Sequence, residues 1–303
     1  MSETTIGRLL LVGGGFIGEA LLSGFLSSGV LEAEQLCVVE PSEERRAFLQ
    51  NTYAVELVAS TDGQVLTERD VCLLAVKPGL IPLVARGLAA EQATGLATGQ
   101  ATDQTADQTM DQTAGLGGAL LISIAAGVTL EDLQAALPAH TAVVRVMPNL
   151  PVVVGAGMAQ ISRGKSVTDE QMRSAVKLFE SVGRATVIDE ELQNVCAAIA
   201  GCGPAYFALV VDALAQAGVS QGISPELAQE LAAQTALGTA QMLLDPDQHP
   251  DQLIDAVSSP GGMTIAALAE LESHQVREAF DDAARAAVRR AVELKSAADE
   301  EEN

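Results

Sequence analysis

Ser258-Ser259-Pro260-Gly261-Gly262-Met263-Thr264 brings three hydroxyls, a proline turn and two glycines to the start of an apolar helical run, Ile265-Ala266-Ala267-Leu268. The N–H groups that open a helix have no partner within it, and the helix dipole is positive there. The segment is therefore suited to hold a carboxylate or a phosphate. A plain Ser/Pro/Gly turn is the competing reading. Near the other end, Gly13-Gly14-Gly15-Phe16-Ile17-Gly18 fits G-x-G-x-x-G after a short apolar strand and at the opening of a helix. That pattern is a dinucleotide seat: Gly13 permits the tight turn, Gly15 lets the pyrophosphate approach the backbone, and Gly18 lets helix and strand pack closely.

Glu40 closes the second apolar strand, 22 residues beyond Gly18. A carboxylate there holds the ribose diol and disfavours a 2′-phosphate, which points to NADH. Ser42, Arg45 and Arg46 follow directly, and arginines so placed suit that phosphate and NADPH. The two signals conflict, and a solvated helix face is a further reading of the arginines. Lys77, one of four lysines, follows another buried strand in Ala75-Val76-Lys77-Pro78. It lies where parallel sheets bind ligands, as an active-site cation or simply a surface lysine. Asn149, in Pro148-Asn149, either meets the nicotinamide carboxamide or fixes its loop.

These residues need a scaffold, and the first half of the chain provides one. Leu9–Val12, Leu36–Val39, Val55–Val58, Val71–Val76, Leu120–Ile124 and Ala142–Met147 are apolar runs separated by helical patterns. Such alternation predicts a parallel sheet covered on both faces. Residues 92–118 interrupt it with a polar stretch in which Asp-Gln-Thr recurs three times. It reads as a mobile insertion, since it buries too little to order itself. From about residue 166 the pattern turns helical, with a brief strand at 185–188. Thr168 with Gln171 resembles a capping box, and Ser224-Pro225 fits an N-cap followed by proline. The later helices are rich in Ala and Leu on several faces, which predicts burial against a second copy. The expected domains are therefore 1–165 for the dinucleotide and 166–303 for the helices.

Composition sets limits. The chain has 303 residues, 48% hydrophobic and 19% charged, with net charge −23. That charge argues against nucleic acid and anionic membranes as partners. Thirteen arginines against four lysines on an acidic chain suit high salt, where self-repulsion is screened; an ordinary acidic protein is the alternative. No run is expected to reach the roughly 20 apolar residues of a membrane helix. The start shows no secretory pattern, so a cytoplasmic enzyme is expected. Cys37, Cys72, Cys196 and Cys202 show no C-x-x-C spacing, and there are three histidines. No disulfide framework and no metal site are expected.

Four segments together resemble pyrroline-5-carboxylate reductase: the opening glycine motif, Ala75-Val76-Lys77-Pro78, Val146-Met147-Pro148-Asn149-Leu150-Pro151 and Gly201-Cys202-Gly203-Pro204-Ala205-Tyr206. Ser123-Ile124-Ala125-Ala126-Gly127-Val128 and His249-Pro250 also match. The resemblance runs from about residue 6 to 295, apart from the insertion. It implies a Rossmann-type doubly wound sheet followed by an all-α dimerisation domain. It implies a homodimer with intertwined helical domains, often built into a ring of dimers. The implied reaction is reduction of the cyclic imine 1-pyrroline-5-carboxylate to L-proline by NADPH or NADH. Mapped onto this chain, Gly13, Gly15, Phe16, Ile17, Gly18, Glu40, Ala75, Val76, Lys77, Pro78 and Asn149 are expected at the cofactor. Ser259, Gly262 and Met263 are expected at the substrate carboxylate and Thr264 at the imine nitrogen; a helix cap is the other reading of Thr264. Thr264 and Lys77 are the expected catalytic pair. The chain departs from the family at Ala200 and Cys202, where serines are common, and at Phe16, where asparagine is common. Two other readings stay open: a related imine or 3-hydroxyacid reductase, and a non-catalytic nucleotide sensor. The hydroxyacid group uses a lysine in its helical domain, and here the helices from 190 contain none before Lys295.

Overall fold

The structure, a computed structural model, describes residues 6–98 and 116–301. Its first part alternates strand and helix: β1 (Leu9–Val12), α1 (Phe16–Ser27), β2 (Leu36–Val39), α2 (Glu43–Tyr53), β3 (Glu56–Val58), β4 (Val71–Leu74), α3 (Ile81–Thr98), β5 (Leu120–Ser123), α4 (Leu130–Ala135) and β6 (Ala142–Met147). Then come β7 (Gly157–Arg163), α5 (Asp169–Glu180) and β8 (Gly183–Val187). The helical part holds α6 (Gln193–Cys196), α7 (Gly203–Ser220), α8 (Pro225–Leu243), α9 (Pro250–Ala256), α10 (Met263–Ser273) and α11 (Val276–Glu301).

The eight strands lie in the order β3-β2-β1-β4-β5-β6-β7-β8. Every pairing is parallel except β6 with β7. Strand order reverses at β1 and β4, the place where doubly wound sheets bind ligands. The strands are short and apolar because both faces are covered. Leu9, Leu11, Val38, Leu73 and Ile122 pack with α1 and α5, where Phe25 and Phe179 meet edge to face at 6.4 Å. Leu10, Val12, Cys37, Cys72, Leu74 and Leu121 face the other way, onto Ile81, Ala85 and Leu88 of α3. This is the two-residue alternation of a strand. Each fully buried Leu or Phe contributes roughly 1.5–3 kcal/mol of transfer free energy.

The expected caps are present. Thr168 Oγ1 accepts from the Gln171 N–H at 3.2 Å, and Gln171 Oε1 accepts from the Thr168 N–H at 2.9 Å. Ser224 Oγ accepts from the Leu227 N–H at 3.3 Å ahead of Pro225.

Three expectations need correction. The division expected at 165 falls inside the sheet. β8 pairs with β7 beyond it, and the first compact unit runs to Ala197 and resumes at Ala291, with Ala198–Arg290 as the second. The six strands expected to be parallel do pair in parallel, and the one antiparallel pairing comes from β7, which the sequence did not reveal. The insertion is narrower than 92–118. Residues 92–98 continue α3, Gln92 and Leu116 are buried, and 99–115 lie outside the described residues. Finally, Glu190–Ser220 makes 31 residues of successive helical turns with a window of mean hydropathy 1.7. By length and composition alone it could span a membrane. Gly201-Cys202-Gly203-Pro204 and Asp212 interrupt it, so no unbroken apolar run of that length shows in the sequence.

Candidate functional site

At the strand-order reversal, the glycine turn leaves β1 and meets the end of β4. Gly13 takes φ +111°, and a Cβ there would sit 2.6 Å from the Ala75 carbonyl oxygen. A Cβ on Gly18 would collide with the Gly13 carbonyl. Gly15 differs: nothing lies within 4 Å of its would-be Cβ, and it is the N-cap of α1. Its open face sits at a helix N-terminus, so the backbone fits a pyrophosphate. Phe16 opens α1 and is exposed, Ile17 is half-buried and Gly18 is buried. Ala75 and Val76 are half-buried, while Lys77 and Pro78 are exposed at the following 3-10 turn. Lys77 has no ion pair among the described residues.

Glu40 is held beside this turn. One carboxylate oxygen accepts from the Gly14 N–H at 3.1 Å and the other from the Ser42 N–H at 2.9 Å. Its own N–H donates to the Val58 carbonyl at 3.0 Å. The two arginines that follow are engaged as well. Arg45 donates from Nε to the Gly14 carbonyl at 2.7 Å, pairs with the Glu19 carboxylate, and lies 5.0 Å over the Phe48 ring. Tyr53 donates its hydroxyl to the other Glu19 oxygen at 2.9 Å. Arg46 donates Nη1 to the Glu40 and Pro41 carbonyls, both at 2.7 Å. Sequence reasoning missed Glu19, Gly14 and Tyr53. Their partners are more than 25 residues away, and no local pattern marks them.

Asn149 caps the 3-10 turn Leu150–Val154, and its Oδ1 accepts from the Met158 N–H at 2.8 Å.

The Ser258–Thr264 segment belongs to the helical unit, described by itself. Gly261 takes φ +69°, which favours glycine, and Gly262 is the N-cap of α10. The Gly262 N–H donates to the Ser259 carbonyl at 2.9 Å, closing the turn. That amide is therefore spent on the turn, contrary to its expected use on a carboxylate. Gly262 matters for space instead, because a Cβ there would run into Ser259 Oγ. Met263 and Thr264 occupy the first two helical positions, where N–H groups have no intrahelical acceptor. Met263 is 91% exposed, Ser259 is exposed and Thr264 is half-buried. No side chain caps α10, so the Thr264 hydroxyl is not spent on the helix end. Ser258 Oγ is buried with no partner among the described residues. No group of three or more His, Cys, Asp or Glu that could hold a metal occurs among the described residues.

Comparison with known proteins separates family from fold. The pyrroline-5-carboxylate reductase from Synechocystis sp. is 38% identical over 287 residues, 95% of this chain and 98% of the relative. The chain belongs to the pyrroline-5-carboxylate reductase family. The Mycobacterium leprae reductase is 36% identical, with 96% of this chain and 98% of the relative covered. A model of pyrroline-5-carboxylate reductase dimerisation matches residues 190–294, and one of NADP oxidoreductase, coenzyme F420-dependent, matches 8–96. The reductase structure from Coxiella burnetii superposes with TM-score 0.82 at 31% identity, covering 95% of this chain and 98% of that one. The Plasmodium falciparum reductase, solved with NADP bound, gives 0.77 at 28% identity, covering 96% and 99%. The reductase-family dimerisation region thus begins near residue 190, close to the break between compact units and well past 165.

Proposed function

We propose that the chain reduces the C=N bond of 1-pyrroline-5-carboxylate to give L-proline, using NADH or NADPH. The observation that carries this reading is similarity over nearly the whole length of both chains, with the Ser258–Thr264 turn and the glycine turn each intact.

A bound nicotinamide dinucleotide supplies hydride to the imine carbon. The chain's residues do the rest. Gly13, Gly15 and Gly18 shape the turn that receives the pyrophosphate, with Phe16 and Ile17 at the helix opening. Ala75, Val76, Lys77 and Pro78 flank the same crevice, and Asn149 holds the neighbouring loop. Reduction places an electron pair on the ring nitrogen, so that nitrogen needs a donor or a proton. The uncommitted Thr264 hydroxyl suits that task. The Ser259 hydroxyl and the Met263 and Thr264 N–H groups suit the carboxylate. Lys77, exposed and unpaired among the described residues, would draw in the anionic substrate.

The working form is a homodimer. Phe207 and Leu209 on α7 are 69% and 68% exposed, and Leu214 and Leu231 are also exposed. An apolar face of this kind calls for a covering partner. A second copy supplies it, and this reading treats the run Glu190–Ser220 as an interface in place of a membrane span. Intertwined helical domains and a ring of dimers accord with the same face. All four cysteines are free, in keeping with a reducing cytoplasm.

One assay tests the reading. Purified protein is given 1-pyrroline-5-carboxylate with NADH or NADPH, at low and high salt, and followed at the nicotinamide absorbance. Oxidation of either nucleotide with formation of proline is expected. Absence of turnover under every condition would overturn it. Light scattering of the same sample is expected to show a dimer or a multiple of one.

A further inference from the structure

We propose that this chain selects NADH over NADPH and that Glu40 makes the selection. The proposal rests on the dinucleotide reading of the glycine turn and deepens it.

The sequence alone set Glu40 against Arg45 and Arg46, and the side-chain geometry divides them. Glu40 does not swing freely. Its two oxygens are fixed by the Gly14 and Ser42 N–H groups, at 3.1 and 2.9 Å, and its backbone is fixed to Val58. A carboxylate offers about four lone-pair sites. With two taken by the backbone, two remain, and both hydroxyls of a ribose 2′,3′-diol can donate to them. A 2′-phosphate carries about −1.5 to −2 charge and donates little in return. Placed at the same position it would face a carboxylate that cannot turn away without giving up both backbone bonds.

A 2′-phosphate would then need a cation. Between Pro41 and Tyr53 the basic side chains are Arg45 and Arg46. Arg45 faces away from that role: it spans from Gly14 to Glu19 and lies over Phe48. Freeing it would strip Glu19 of its cation in a partly buried setting. Arg46 caps the Glu40 and Pro41 carbonyls, which holds it on the backbone of the strand end. Ser42 is held in place as the N-cap of α2, its hydroxyl accepting from the Arg45 N–H, and it carries no charge to offset a phosphate. Of the charged groups bordering the glycine turn on this side, Arg45 is paired with Glu19 and Arg46 is held on backbone carbonyls, while the Glu40 carboxylate has no cationic partner among the described residues. The Plasmodium falciparum relative was solved with NADP bound, so the fold itself admits the extra phosphate. Discrimination has to come from local side chains such as these.

The test is direct binding, without imine. NADH and NADPH are titrated separately into the full-length protein, followed by calorimetry and nicotinamide fluorescence. NADH should bind at least about tenfold more tightly, as expected when one like-charge contact opposes the competitor. In E40Q the ratio of the two dissociation constants should fall by about tenfold or more, mainly through tighter NADPH. The ratio is the readout, so any general loosening of the glycine turn cancels. In the parent protein, 2′,5′-ADP should also compete with NADH less well than ADP does. NADPH binding as tightly as NADH would overturn the preference and leave the reductase reading standing. An unchanged ratio in E40Q would overturn the role of Glu40. Failure of both nucleotides to bind would overturn the dinucleotide reading itself.

Discussion

The Arg45 guanidinium pairs with the Glu19 carboxylate and so ties the start of α2 to α1 beside the glycine turn. The same arginine reaches the Gly14 carbonyl, and Tyr53 completes the set from the end of α2. Both charged side chains are less than one third exposed, so the pair is shielded more than a surface ion pair. Arg45→Met should lower the unfolding free energy by about 1–3 kcal/mol, since it strands a partly buried carboxylate. Glu19→Gln should do likewise, and the double variant should cost less than the sum of the two. Urea denaturation of all three checks this. Simple additivity would mean that the pair is not coupled.

The glycines of the turn should separate folding from binding. Gly18→Ala forces a methyl into the Gly13 carbonyl, so it should cost about 1–3 kcal/mol and lower nucleotide affinity as well. Gly15→Ala meets nothing within 4 Å. Its melting temperature should stay within a degree or two of the parent, while nucleotide affinity falls at least about tenfold through blocked approach of the pyrophosphate. Melting curves with and without nucleotide distinguish the two. Equal loss of stability in both variants would contradict the open face at Gly15.

Thr264→Ala should lower kcat about 100-fold, the scale of losing one donor aimed at a reacting centre. Nucleotide affinity should be unchanged. Stability should remain within about 0.5 kcal/mol, because α10 draws no cap from this hydroxyl. Turnover at the parent rate would remove Thr264 from the mechanism. A large loss of stability would return it to the role of a cap.

Burial pushes the Cys72 thiol up from 9.0 to about 12, with no other cause acting on it. In the unfolded chain the thiol ionises near 9, while in the folded chain it stays protonated. The stability this contributes is therefore fully present below pH 9 and is lost as pH rises from 9 toward 12. Across that window the slope should approach about 1.4 kcal/mol per pH unit for this one group. Denaturant midpoints measured from pH 8 to 11 should fall, and Cys72→Val should flatten the fall. Cys72 should also resist thiol reagents at pH 8 until the chain unfolds.

Much of this molecule could be read before its structure. β1, β2 and β4 are unbroken apolar runs, and β5 and β6 are apolar apart from Ser123 and Arg145, because a strand covered on both faces has little polar side to show. β7 escaped notice for the opposite reason. Gln160 and Ser162 are buried in it, the Ser162 hydroxyl accepting from Gln193 Nε2 and donating to the Ile188 carbonyl, so the stretch Gly157–Arg163 carries no apolar signature. β8 is half-buried and was legible only as a brief strand, and without β7 beside it nothing in the sequence tied it to the sheet. At the site, the glycine turn and the Ser258–Thr264 turn were legible because their residue types are forced by backbone geometry. What a guanidinium grips is not forced in that way. By position alone Arg45 and Arg46 suit either a phosphate or a solvated helix face; Arg45 is engaged by partners 26 and 31 residues distant, and Arg46 by carbonyls five and six residues before it.

The clasp around Leu66 has a consequence for how this chain tolerates change. The Leu66 N–H donates to Gln92 Oε1 at 3.0 Å, and Gln92 Nε2 donates to the Leu66 carbonyl at 3.1 Å. Gly117, at φ +63°, closes on the same two residues, with Leu116 buried beside it. The end of α3 and the entry to β5 are thus each fastened to one backbone segment, independently of the residues between them. Those fastenings hold the register of β5, and with it the crevice beside β4, through the described residues alone, so a change made elsewhere in the chain reaches the crevice only if it first breaks this clasp.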